Sequence, residues 1–152
     1  MGAIFNIFPL ILVPVLIYNI WAFGATAAGT TPEDLRNVME ATKWFSVPMA
    51  SQEDGRAVQW IVTGGDMLIL LALVLLFIEL LKSTSTGTAA IFNHALSMLV
   101  FIICLVEFLL HPAFATTVFF LILVMSLLDV LAGVVVTIIS ARRDVEFDRG
   151  SN

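Results

Sequence analysis

Four long apolar segments limit what this chain can fold into. They occupy roughly residues 3–23, 57–81, 89–111 and 115–141. A helix needs about 20 mainly apolar residues to cross the hydrocarbon core of a bilayer, and each segment reaches that length. Because a spanning segment must satisfy its own backbone hydrogen bonds, the segments are predicted to be helices.

The composition agrees with a membrane protein. Hydrophobic residues make up 60% of the chain and charged residues 12%, against about 45–50% and about 25% in soluble domains. The sequence therefore predicts an all-α integral membrane protein, a single domain of residues 1–152 with four transmembrane helices in an antiparallel bundle. The net charge of −5 argues against nucleic acid as a partner, because phosphate binding needs clustered Lys and Arg.

The first apolar segment contains no charged residue. Pro9 and Pro14 should bend it, since each removes a backbone donor, and Tyr18 and Trp21 are typical of the membrane interface at its far end. A cleaved signal peptide ending near residues 25–27 is the alternative interpretation. The missing basic residues at its start favour a retained span.

The loop of residues 24–56 is predicted to lie outside the membrane. Thr31 as N-cap, Pro32 at the first helical position and Asp34 in the first turn indicate a short amphipathic helix at the interface. This helix could rest on the rim of the protein, or act as a docking helix or lid. Pro48 should end it, and residues 51–54 resemble the cap of the second span.

The basic residues next to the spans predict the orientation. Lys82 follows the second span, and Arg142 and Arg143 begin a charged tail, residues 142–152, after the fourth. The positive-inside rule then predicts cytoplasmic termini. We expect the bacterial inner membrane as the location.

A stripe of polar residues runs along the third segment. Asn93, Ser97, Cys104, Glu107 and His111 recur at steps of three, four and seven, so they share one helix face. That face is expected to turn toward small and polar faces of the second and fourth spans. The predicted helix-packing residues are Gly65, Ala72, Ser97, Gly133 and Thr137.

Ionisable residues within or beside the spans are candidate intramembrane polar or proton-handling groups. They are Asp129, Glu107, Asp66, His94, Glu79 and His111. Asp129 lies nearest the middle of the bilayer, where a charged acid costs about 2.5–3.5 kcal/mol. It is either a proton- or cation-binding group or a hydrogen-bonding link between helices. Glu107 is expected to pair with His111, one helical turn away.

No metal site, cofactor or catalytic group is predicted. The single cysteine, Cys104, excludes an intrachain disulfide and is expected to be a buried, inert thiol. His94 and His111 are about 25 Å apart along one helix, too far to bind one haem iron. Neither a zinc ligand set nor a nucleophile with its base can be assembled from the sequence.

Three functional hypotheses remain from the sequence. The first is a non-enzymatic membrane protein that assembles with itself or serves as an accessory subunit of a larger membrane complex. The alternative is a small proton- or cation-coupled transporter or channel component that uses Asp129 and Glu107. The third, weaker hypothesis is a membrane enzyme that works at the outer rim through Glu107, His111 and Asp66.

Overall fold

The described part of the chain is mostly helical (80%), and it contains one small β-hairpin. A computed structural model describes residues 7–41, 43–51, 57–82 and 88–150. Its elements in chain order are α1 (Leu12–Ala27), α2 (Pro32–Ala41), β1 (Lys43–Ser51), β2 (Ala57–Thr63), α3 (Gly64–Lys82), α4 (Thr88–Leu110), a 3₁₀ turn (Pro112–Phe114) and α5 (Thr117–Gly150).

Three helices are long and apolar enough to cross a membrane. The qualifying segments are Gly64–Lys82, Ala90–Leu110 and Thr117–Ile139, while α1 is apolar but shorter. Large apolar side chains on the outer faces of these helices are exposed. Monomeric soluble proteins rarely expose large contiguous apolar patches, so these faces are consistent with a lipid environment.

Helix α1 begins later than the sequence predicts. The predicted segment starts at residue 3, and residues 3–6 lie outside the described part of the chain. Pro14 falls in the first turn of α1, where its missing N–H has no helical acceptor to lose. Pro9 lies among the non-helical residues 8–11, between the helical Ile7 and the start of α1, so the helical conformation is interrupted at Pro9, whereas Pro14 does not interrupt α1.

A two-stranded antiparallel hairpin replaces the predicted start of the second span. Strands β1 and β2 pair with Phe45 opposite Val62 and Val47 opposite Trp60. The predicted helix start at residue 57 is therefore wrong, and the all-α prediction omits this hairpin. The β-branched and aromatic residues of β2 favour a strand. Of the predicted cap at residues 51–54, Ser51 lies in β1 and residues 52–54 lie outside the described part.

Helix α3 begins at Gly64 because Thr63 and Asp66 form a capping box. The backbone N–H and the hydroxyl of Thr63 each donate to Asp66 Oδ2, at 2.8 Å. The Asp66 N–H donates to Thr63 Oγ1 at 3.2 Å. These bonds satisfy N–H groups at the helix start, which have no intrahelical acceptor. The same arrangement starts α2, where the Asp34 N–H donates to Thr31 Oγ1 at 3.2 Å, as the sequence predicts.

Helix α5 is longer than predicted. The apolar, membrane-length part ends at Ile139, but the helix continues to Gly150. The residues predicted as a separate tail, from Arg142 onward, therefore extend the same helix through Gly150.

The core lies where α1 meets α3, α4 and α5. Tyr18 of α1 is fully buried, and its hydroxyl donates to the carbonyl of Ala113 at 3.0 Å and lies 2.7 Å from Thr116 Oγ1. Tyr18 therefore faces the interior of the protein, where its hydroxyl finds its hydrogen-bond partners. Leu35 of α2 is 1% exposed and packs on the same core.

Candidate functional site

Buried polar residues cluster between the helices at the end of the fold where α3 ends and α4 begins. Asn93 and Ser97 on the α4 stripe are buried, and so are Glu79 on α3 and Asp129 on α5. This part of the stripe therefore faces other helices. We call the following set the inner polar cluster: Glu79, Lys82, Asn93, His94, Ser97 and Asp129.

One half of the inner polar cluster is a fully paired carboxylate. Glu79 is 0% exposed, and its Oε2 lies 2.9 Å from Lys82 Nζ. The side-chain amide of Asn93 donates to Glu79 Oε1 at 2.5 Å, and the backbone N–H of Leu10 donates to Oε2 at 2.9 Å. Lys82 also donates to the carbonyl of Phe8 at 2.8 Å. These bonds tie the chain that leads into α1 to α3 and α4.

The other half of the cluster centres on Asp129, which is 5% exposed. The hydroxyl of Ser97 is its hydrogen-bonding neighbour, and Glu79, Lys82 and His94 are the charged or titratable groups close enough to act on it. Its Oδ2 atom is buried and has no hydrogen-bond partner in the described structure. Such a carboxyl oxygen is unusual, because most buried polar atoms are paired.

Gly133, one turn beyond Asp129, makes room for the ring of His94. A Cβ atom at position 133 would overlap the imidazole atoms of His94. The half-buried histidine is therefore seated in a notch on α5 that only glycine leaves open. This contact places His94 close to Asp129.

Glu107 and His111 do not form the predicted ion pair. Glu107 Oε2 accepts a hydrogen bond from Asn19 Nδ2 at 3.2 Å, whereas His111 Nδ1 accepts from the Ala113 N–H at 3.3 Å. No ion pair joins the two residues in the described part of the chain. The reason is that His111 lies at the end of α4, where it caps the following 3₁₀ turn.

The proposed outer acid–base cluster is also not assembled. Asp66 is exposed and bonds Thr63 in the capping box, while Glu107 bonds Asn19. No hydrogen bond or ion pair connects Asp66 to Glu107 or His111 among the residues described. The three residues of the rim-enzyme hypothesis therefore have separate hydrogen-bond partners.

The predicted packing residues fall in different environments. A Cβ on Gly65 would come within 2.7 Å of Val118 Cγ2, so this glycine permits close approach of α3 to α5. Ala72 and Ser97 are buried. Thr137 is exposed, and its hydroxyl donates to the carbonyl of Gly133 within the same helix at 2.9 Å.

Two contacts of this interior were not predicted from the sequence. The contact of Lys82 with Glu79 could have been inferred, since their spacing of three places the two on one helix face. The bond of Asn19 to Glu107, 88 positions away, has no local signal in the sequence.

The inner polar cluster offers hydrogen bonds and charge but no metal site. In the described residues, no group of three or more His, Cys, Asp or Glu side chains could hold a metal ion. Comparison with protein-family models, with curated proteins and with solved structures gave no match. The class that the fold defines is a small, mostly helical protein with three membrane-length helices.

Proposed function

We propose that the chain is a four-span integral membrane protein of the bacterial inner membrane, with α1 and the residues before it as the fourth span. The contacts along α1 support this. Near its start, Phe8 meets Lys82 at the end of α3, and near its end Phe23 packs against His111 at the end of α4, with ring centroids 5.4 Å apart. Residues 8–23 thus extend between the two ends of the helix bundle. The termini face the cytoplasm by the positive-inside rule.

The function we propose is that of a non-enzymatic subunit, which assembles with other copies or with a different membrane protein. The observation that carries it is the hairpin. Trp44 and Trp60 are 64% and 58% exposed, and Phe45 and Ile61 are exposed beside them. A two-stranded hairpin is at best marginally stable alone, and each strand keeps one unpaired edge that another chain can join.

The exposed residues of the hairpin favour contact with another protein. Exposed aromatic residues are enriched in protein interfaces and become strong anchors when buried there. The surface is also joined directly to α3, since β2 ends at Thr63 and α3 begins at Gly64. A partner bound to the hairpin would therefore be held next to the membrane helices, as expected for a subunit of a membrane complex.

Site-specific photo-crosslinking in native membranes tests this function. A photoreactive amino acid at Ser46 or Gln59, both exposed on the hairpin, should give a discrete adduct with this protein or with one other membrane protein. The same group at the exposed Glu33 of α2 serves as the control. Adducts with lipid alone at both hairpin positions would refute the subunit function.

Proton- or cation-coupled transport is the second candidate, and the unpartnered Oδ2 of Asp129 favours it. The predicted partner, Glu107, bonds Asn19 instead, and no hydrogen bond joins it to Asp129 in the described part. Transport predicts a pH-dependent flux in proteoliposomes that Asp129→Asn abolishes. Equal flux in the two proteins would exclude this mechanism.

A further inference from the structure

The charges in the inner polar cluster do not balance if both of its acids are ionised and His94 is neutral, because Lys82 is then the one cation facing two carboxylates. Lys82 is bound to Glu79 at 2.9 Å and also donates to the carbonyl of Phe8. These contacts hold the ammonium group of Lys82 next to Glu79. Asp129 would then be a second negative charge, with Ser97 as its hydrogen-bonding neighbour.

An ionised carboxylate without a close counter-charge is strongly disfavoured in an apolar interior, and it is normally neutralised there. The titratable or charged groups that face Asp129 are Glu79 and Lys82 from α3 and His94 from α4. Glu79 disfavours a second negative charge, Lys82 is held by Glu79, and His94 lies in the notch at Gly133. Neutral Asp129 removes the imbalance without any movement of these groups.

We propose that Asp129 is a proton-binding site, whose carboxyl group is protonated in the packing of α4 against α5 that the structure shows. The unpartnered, buried Oδ2 atom carries this assignment. Binding forms one O–H bond on the carboxylate, and release returns the proton to water. This proposal does not require transport, because the proton can enter and leave from one side of the membrane.

A metal cation fits the site less well than a proton. Hard cations such as Mg²⁺ and Ca²⁺ take six or more oxygen ligands, whereas the side chains at Asp129 supply its own carboxyl and the Ser97 hydroxyl. The nearby Ser126 hydroxyl donates to the carbonyl of Leu123 at 2.7 Å. A proton needs only the carboxylate itself.

Infrared spectroscopy of the full-length protein in lipid vesicles tests the assignment directly. At pH 7 the wild type should show the C=O stretch of a protonated carboxylic acid. Asp129→Asn should lose this band, and the control Glu33→Gln, which removes an exposed carboxylate on α2, should keep it. Size-exclusion chromatography and thermal unfolding should show that Asp129→Asn is folded, because the amide has the same shape and no charge.

Two further measurements complete the test. Ser97→Ala retains the acid, so the band should persist at a shifted frequency; this variant replaces Asp129→Asn as the probe if the latter does not fold. Replacing choline chloride by sodium chloride at constant ionic strength should leave the band unchanged. The proposal would be overturned if the band were absent at pH 7 or equally strong in folded Asp129→Asn. Loss of the band in sodium chloride would also overturn it, because it would show a sodium site.

Discussion

The contact between Gly133 and His94 gives the sharpest test of how α4 packs on α5. Gly133→Ala adds a methyl group at a position that the imidazole of His94 already occupies. Overpacking of this kind costs about 1–3 kcal/mol, while alanine in place of glycine inside a helix contributes up to about 1 kcal/mol in the opposite direction. We expect a net loss of about 0–3 kcal/mol in the free energy of unfolding.

The overpacking cost and the gain in helix propensity can be measured separately when His94 is also replaced. In a His94→Ala background the added methyl group meets no imidazole, so Gly133→Ala should stabilise the protein by up to about 1 kcal/mol. The coupling energy of the double-mutant cycle should therefore be about 1–3 kcal/mol. Gly24→Ala is the matched control, because a Cβ at this helical glycine has no neighbour within 4 Å. Its effect should be the same with and without His94.

Unfolding in mixed micelles with increasing denaturing detergent, followed by tryptophan fluorescence, supplies the four free energies. The three tryptophans of the chain report the transition in every variant, since none of them is replaced. Independent sites add within about 0.3–0.5 kcal/mol. A Gly133–His94 coupling inside that range would refute the packing of the histidine in the notch.

Four substitutions test the interior and the start of α3. Tyr18→Phe should destabilise the protein by about 1–3 kcal/mol in the same unfolding assay, because it leaves the buried carbonyl of Ala113 without its donor. Glu79→Gln should cost about 3–5 kcal/mol, since it breaks a buried ion pair. Asp129→Asn should change stability by less than about 1 kcal/mol. Similar losses for the two variants would contradict an ionised Glu79 beside a neutral Asp129. Thr63→Ala should cost about 1 kcal/mol by removing the N-cap, with faster hydrogen exchange confined to the first turn of α3, and slower or unchanged exchange there would argue against the capping box.

The membrane-length helices were predictable because hydropathy over about 20 residues depends only on composition and length. The hairpin was not, because β2 is a short apolar run joined without a break to the apolar helix α3. A short run of this kind fits a strand or a helix equally well by periodicity. The boundary signal was nevertheless present in the sequence, since Thr63 followed three residues later by Asp66 has the spacing of a capping box.

Side-chain partners were predictable only where they are local. Thr31 and Asp34 lie three positions apart and bond as expected. Glu107 has a local candidate in His111, but it bonds Asn19 from another helix. The i, i+4 rule describes which side chains can meet on one helix, and it contains no information about a competing partner from elsewhere in the chain.

The two buried acids of the inner polar cluster show where the sequence carries more information than hydropathy alone reveals. Glu79 has a lysine three residues later on the same helix face, and this lysine neutralises it. Asp129 has Ala132 and Gly133 at the corresponding positions, so no cation on α5 can replace Lys82. Small residues there let His94 approach, and Asp129 Oδ2 has no hydrogen-bond partner in the described part of the chain. A proton on Asp129 would therefore neutralise this acid as Lys82 neutralises Glu79, and unlike the lysine the proton can dissociate.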